Sequence, residues 1–144
     1  MGLILDSSLL IAGEKEKFDL IGFLSTRDEP VVLAAITASE LLHGCHRASG
    51  VQQKENRMRY VEWALSVFEI VPFGLEEARH HAWIWSQLAS LASQGRLIGA
   101  YDLLIAGTAI CLSYSLATLN VNEFSRVPGL VVLDEQAILQ FKMG

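Results

Sequence analysis

The strongest constraint on this chain is a set of short, uninterrupted apolar runs separated by helix-length segments. Leu3 to Leu5, Val31 to Ala34, Leu116 to Leu119 and Leu130 to Val132 are each too short for a helix and show no polar alternation. Phe68 to Val71 is a further brief β-branched run, ended by Pro72. A strand that is apolar on both sides has both faces covered, as in a parallel sheet with helices above and below it. Helical patterns fill the spaces between. They cover Lys15 to Arg27, Thr37 to Ala48, Gln52 to Val67, Leu75 to Ser93 and Tyr101 to Tyr114. A short helical turn at Asn122 to Val127 and a terminal helix from the Asp134 cap through Phe141 complete the set. The expected fold is α/β: three layers, α/β/α, around a short-stranded parallel sheet, in one domain over residues 1–144.

In the longest helix, Ala78, Ala82, Trp85, Leu88 and Ala92 recur at helical spacing, and Gly95 follows near its end. That spacing predicts Trp83 and Trp85 in the core or in a dimer interface rather than as a platform for bases.

Ligands of parallel α/β sheets bind beyond the carboxyl ends of the strands, near the switch in strand order. Four carboxylates fall there. Asp6 directly follows the first run, and Glu40 lies in ITASELL after the second. Asp102 opens the apolar helix GAYDLLIAGTAI, and Glu123 follows LATL in TLNVNEF. Three of the four sit among apolar or small residues, where an isolated charge is costly to desolvate. Carboxylates gathered in one crevice repel one another unless cations lie between them. Oxygen ligands of this kind suit Mg²⁺ or Mn²⁺, ions that activate water and stabilise the leaving oxygen of a phosphodiester.

Each carboxylate also has an ordinary role open to it. Asp6 can cap a helix. Thr37-Ala-Ser-Glu40 fits a capping box. Asp102 suits the positive end of a helix dipole, and Glu123 suits a solvated turn. The order of the four along the chain, each tied to a strand end or a helix start, carries more weight than any one of them.

Composition narrows the classes. With 16 acidic and 11 basic side chains the net charge is −5, which excludes a broadly basic nucleic-acid binder. Setting the four carboxylates aside leaves 12 acidic side chains against 11 basic ones, so the excess is largely what a metal site would require. Apolar residues make up 51% of the chain, against intrinsic disorder. Cys45 and Cys111 form no disulfide framework, so a reducing, cytoplasmic setting is expected. The first residues lack a positive region and Asp6 interrupts their apolar run, which reads against a signal peptide. No apolar run reaches the length of a membrane span.

The chain resembles PIN domains, and more narrowly the VapC-type toxins of VapBC toxin–antitoxin pairs. The matching stretches are LILDSSLLIAG, ITASELLHG, GRLIGAYDLLIAGTAI and LATLNVNEFSRVPGLVVL, spread over nearly the whole chain in the family's order. The family pattern T-x-N-x-x-acid-F is matched by Thr118, Asn120, Glu123 and Phe124. The resemblance implies a metal-dependent ribonuclease with Mg²⁺ or Mn²⁺ as cofactor. Asp6, Glu40 and Asp102 correspond to its main acidic ligands. Glu123 corresponds to a fourth, more variable acidic position, often aspartate, where a longer side chain can act through water. Thr118 and Asn120 match polar positions that orient the pocket, and Ser7 or Ser8 is placed to support Asp6. The resemblance further implies a homodimer and a cognate antitoxin, whose C-terminal segment crosses the groove and often brings an arginine to the carboxylates.

Arg47, Lys54, Arg57 and Arg59 lie in a stretch with Glu55 as its only acid, and are candidates for steering an RNA backbone to the pocket. A solvated helix face accounts for them equally well. Arg96, ahead of Asp102, is another candidate phosphate contact. His43, Cys45 and His46 suggest zinc, but no further ligands stand at a suitable spacing.

Three other functions fit parts of the pattern. A phospho-acceptor receiver domain also has an acidic pocket, but it needs a lysine after a late strand, and no lysine lies between Lys54 and Lys142. A catalytically silent PIN-like protein would act only through a partner, against which the intact Asp6, Glu40 and Asp102 count. A nuclease for structured DNA is the third.

Overall fold

The computed structural model describes residues 1–92 and 98–144. Four strands, β1 (Leu3–Leu5), β2 (Val31–Ala34), β3 (Glu69–Val71) and β4 (Ser115–Ala117), form one sheet in the order β3-β2-β1-β4. Every neighbouring pair is parallel. Central β1 sets the register, with Ile4 opposite Val32 on one side and Leu116 on the other. Among the described residues eight helices surround it: α1 (Ser7–Glu14), α2 (Leu20–Ser25), α3 (Ala35–Arg47), α4 (Val51–Val67), α5 (Leu75–Ala92), α6 (Ala100–Leu112), α7 (Val121–Phe124) and α8 (Glu135–Leu139).

Strand alternation sorts the apolar side chains into two cores, one on each face. Leu3, Leu5, Leu33 and Ala117 pack with Leu9 and Leu10 of α1, Leu41 and Cys45 of α3, and Val61 and Ala64 of α4. Ile4, Val32, Ala34 and Leu116 pack with Ile84 and Leu88 of α5 and with Ile105, Ala106 and Ala109 of α6. The sheet is therefore the middle layer of three, as the runs predict. Full burial of one such aliphatic side chain contributes about 1.5–3 kcal/mol.

Two strands run into helices without a connecting loop. Asp6 and Ala34 keep extended backbones and the next residues are already helical. This puts the first turns of α1 and α3 at the carboxyl edge of the sheet, beside the end of β4. The switch in strand order falls between β1 and β4, and Asp6 N–H donates to Ala117 O across it at 3.0 Å.

Several expected elements differ. Lys15 to Arg27 is not one helix. Glu16 adopts a left-handed backbone (φ 59°), and Asp19 N–H donates to Phe141 O at 2.8 Å. The segment thus pairs with the C-terminal residues and sends Phe18 into the core before α2 begins. Leu130 to Val132 makes one isolated bridge, Val132 beside Leu116, rather than a strand. The Pro128-Gly129 turn brings it to β4 only at that point, with Gly129 at φ 84°. The Thr37–Glu40 capping box is absent because α3 starts two residues before Thr37, which lies inside the helix with its hydroxyl buried. On α5 the inward residues are Ile84 and Leu88, while Trp83 and Trp85 are 51% and 62% exposed, so the core reading of the tryptophans fails. Gly95 and Arg96 lie outside the described residues, as does the side chain of Ala92. Among the described residues no helix is long and apolar enough to cross a membrane.

Candidate active site

Asp6 occupies the cap position of α1, yet its side chain makes no cap hydrogen bond. It is 2% exposed, and its Oδ2 accepts from Ser8 Oγ at 2.9 Å and from Thr118 Oγ1 at 2.8 Å. Thr118 Oγ1 in turn accepts from Asn120 N–H at 2.9 Å, and Ser8 Oγ accepts from Leu119 N–H at 3.1 Å. These hydroxyls supply the donors that a buried carboxylate requires. Among the described residues both bonds to Asp6 fall on Oδ2, which leaves Oδ1 to face other groups.

Glu40 projects from α3 toward the same edge. Its carboxyl is raised above the ordinary glutamate range, first by burial and then by the charge of Asp6, while a hydrogen bond with Ser7 pulls it back. Its Oε1 is buried and has no hydrogen-bond partner among the described residues. A buried carboxylate oxygen left open is costly, and a cation removes that cost.

Asp102 lies in the first turn of α6, where the helix dipole favours negative charge. Its surroundings overcome that preference and push its carboxyl up to about 7. Burial is the largest cause, followed by a hydrogen bond with Glu123 and by the charges of Asp6, Glu123 and Glu40. Glu123 is held against the start of α6 by Gly99 N–H, which donates to its Oε1 at 3.3 Å. The structure thus brings all four sequence candidates into one electrostatic field. Among the described residues they do not form a ready-made set of three metal ligands. Carboxylate oxygens, one of them without a partner among the described residues, are donors that could hold a hard divalent cation.

The supporting residues divide differently from the sequence expectation. Of the two serines proposed to support Asp6 it is Ser8 that bonds it, while Ser7 lines a cavity with Glu40 and lowers that carboxyl. Neighbouring residues on a helix point about 100° apart, so the two serines serve different carboxylates. Thr118 donates directly to Asp6, whereas Asn120 contributes its backbone N–H and its side chain is exposed.

Arg47 and Arg57 line a cavity of about 600 Å³ that also contains Glu40. Arg57 is held there by Glu14 at 3.2 Å and by Gly44 O at 3.3 Å. Lys54 and Arg59 are exposed on α4, and Arg59 bonds Asn56 Oδ1 at 3.2 Å. His43 and His46 are exposed while Cys45 is buried in the core, so the three do not converge. Sequence reasoning passed over Tyr101, an exposed ring next to Asp102. It also passed over a cavity of about 450 Å³ lined by Asn120, Glu123, Arg126 and Lys142. Only position signalled them: each residue is near a candidate acid in sequence or fold.

The PIN domain family model matches residues 3–130. The chain is 39% identical over 137 residues to Ribonuclease VapC1 of Rickettsia felis, covering 92% of this chain and 96% of that one. It is 38% identical over 133 residues to Ribonuclease VapC of Rickettsia bellii, with the same coverage of 92% and 96%. Its fold is similar to the crystal structure of VapBC2 from Rickettsia felis bound to a promoter DNA fragment. There the TM-score is 0.81 at 25% identity, over 92% of this chain and 97% of that one.

Proposed function

The chain belongs to the PIN-domain family, on its VapC branch, and from that premise we propose that it is a divalent-metal-dependent endoribonuclease, the toxin of a type II toxin–antitoxin pair. The observation that carries the proposal is Asp102, whose carboxyl is held up to about 7 by burial and by the acidic groups Glu123, Asp6 and Glu40. So much negative charge at the carboxyl edge of a parallel sheet suits a cation and, across it, a phosphodiester.

Asp6, Asp102 and Glu40 would hold Mg²⁺ or Mn²⁺. Such an ion supplies Lewis-acid activation of water and offsets charge developing on the phosphate. Ser8 and Thr118 fix Asp6 through Oδ2 and orient Oδ1. Ser7 orients Glu40, whose orphaned Oε1 is a free donor atom. Glu123, anchored by Gly99 N–H, stands beside Asp102 and would reach a bound ion through water. Arg47 and Arg57 meet the RNA backbone on the Glu40 side.

The partners that follow are an RNA substrate, a cognate antitoxin and a second copy of this chain. An antitoxin arginine would satisfy the same acidic cluster that binds metal, which couples inhibition to loss of the ion.

The test is cleavage of single-stranded RNA by the purified chain with Mg²⁺ or Mn²⁺, with DNA of the same sequence alongside. Cutting of RNA that stops in excess chelator and in Asp102→Asn is the expected result. Full activity in chelator, or in that variant, would overturn the proposal. Cutting of DNA alone would replace the substrate.

A further inference from the structure

Tyr101 is 57% exposed at the start of α6, immediately before Asp102. It belongs to neither hydrophobic core. Its side chain lines two cavities, one of about 600 Å³ that holds Arg47 and one of about 310 Å³ that holds Asp102. Besides Tyr101, both cavities contain Glu40. The phenol ring therefore stands at the junction between the acidic cluster and the basic end of the crevice.

The helix sets this arrangement. Consecutive residues of α6 diverge by about 100°, so Asp102 joins the carboxylates while Tyr101 takes the adjoining wall. Ile11, 40% exposed, lines the same larger cavity, which gives an otherwise polar crevice two apolar surfaces. An exposed aromatic side chain in a concave site marks a ligand with a flat apolar face.

We propose that Tyr101 is the platform on which a base of the substrate RNA stacks beside the scissile phosphate. The proposal rests on the nuclease reading above. A crowd of carboxylates repels a polyanion, so approach to the metal site needs attraction that is not purely ionic. Single-stranded RNA supplies it through its unstacked bases, which bind aromatic faces while the backbone follows basic side chains. Arg47 in the same cavity provides the adjacent phosphate contact. Every base has a π-face, so Tyr101 confers a preference for unpaired RNA rather than for one base.

The experiment is a kinetic cycle on the full chain with Mn²⁺. It uses an oligoribonucleotide cut at one position and versions with an abasic nucleotide on either side of that position. Tyr101→Ala is expected to lower kcat/KM by about tenfold, mostly through KM, and Tyr101→Phe by no more than about twofold. For wild type, one abasic substrate should lose about the same tenfold; for Tyr101→Ala it should lose nothing further. Wild-type kinetics in Tyr101→Ala, additive losses in the cycle, or a Phe variant as poor as Ala would each overturn the stacking role and leave the nuclease reading intact. A wild-type chain that cuts no RNA removes the nuclease reading and this role with it.

Discussion

Thr118 Oγ1 donates to Asp6 Oδ2 at 2.8 Å, and this buried bond ties the end of β4 to the end of β1 at the switch in strand order. It does two things at once. It satisfies a carboxylate that is almost entirely buried, and it fixes which of its oxygens is left for other work.

Thr118→Val keeps the shape of the side chain and removes that donor. A carboxylate deprived of one of its two hydroxyl donors should destabilise the fold by about 1–3 kcal/mol. Nuclease activity should fall by about 10–100-fold, the usual cost of losing a group that orients a metal ligand. Thr118→Ser should restore most of both. Urea unfolding and RNA cleavage of the three proteins check this, and a Val variant as active as wild type would show that the bond orients nothing.

Asp102 makes the metal-free chain pH-dependent, and the sign can be worked out. Its carboxyl is held up to about 7 in the folded chain, well above the ordinary aspartate value of 3.8. The folded state therefore binds a proton more tightly than the unfolded chain, and stability is lost as pH rises between those two values. In chelator, Tm should fall from about pH 4 to about pH 7 by more than it does in Asp102→Asn, which has no carboxyl to ionise there. The same variant should be more stable than wild type at pH 8 and inactive as a nuclease, since the repulsion that it relieves is the property that would attract the metal. Thermal melts across pH for the two proteins decide the matter, and parallel curves would refute the assignment.

Metal binding should show the same proton. Since a bound ion would displace it from Asp102, affinity for Mn²⁺ should rise through about pH 7, with proton release on binding. Calorimetric titration in buffers of different ionisation enthalpy measures that release directly, and a heat independent of buffer would contradict it.

Gly107 sets the approach of α6 to α5. A Cβ placed there would meet His81 Cβ at 2.9 Å and the His81 backbone at 3.0 and 3.1 Å, atoms that cannot turn aside. Gly107→Ala should therefore cost about 1–3 kcal/mol, as overpacking does. Gly44, inside α3, meets only Arg57 Cδ at 3.9 Å, and Gly44→Ala should stabilise by about 0.5–1 kcal/mol through reduced backbone entropy. Denaturant unfolding of both variants separates close packing from simple helix propensity.

The sheet and the four carboxylates were legible in the sequence because they are local signals. A buried parallel strand is a short apolar run, and Asp6, Glu40, Asp102 and Glu123 each stand just past a strand end or a helix start. What escaped depends on distant partners. Nothing between Lys15 and Arg27 announces that Asp19 will bond to Phe141 or that Glu16 will turn left-handed. The capping box at Thr37 misled because β2 enters α3 at Ala35 with no polar cap. On α5 the alanines fit either face, so a stripe that reaches Leu88 through Trp85 fits the sequence as well as the true one through Ile84.

That rotation of α5 leaves indole rings on the surface and motivates the last prediction. Trp85 lies 5.6 Å from His81, which lies 5.8 Å from Phe73, and both Trp85 and Phe73 are exposed. Exposed aromatic side chains grouped in this way mark a contact surface. We expect a second copy of the chain to cover it. A tryptophan buried at such a contact is worth about 2 kcal/mol or more, so Trp85→Ser together with Phe73→Ser should convert a dimer to monomer at micromolar concentration. Ile84 and Leu88 keep their places, and the circular dichroism spectrum should not change. Light scattering after size exclusion reads the outcome. A wild-type monomer, or a double variant that remains dimeric, would remove this face from the interface.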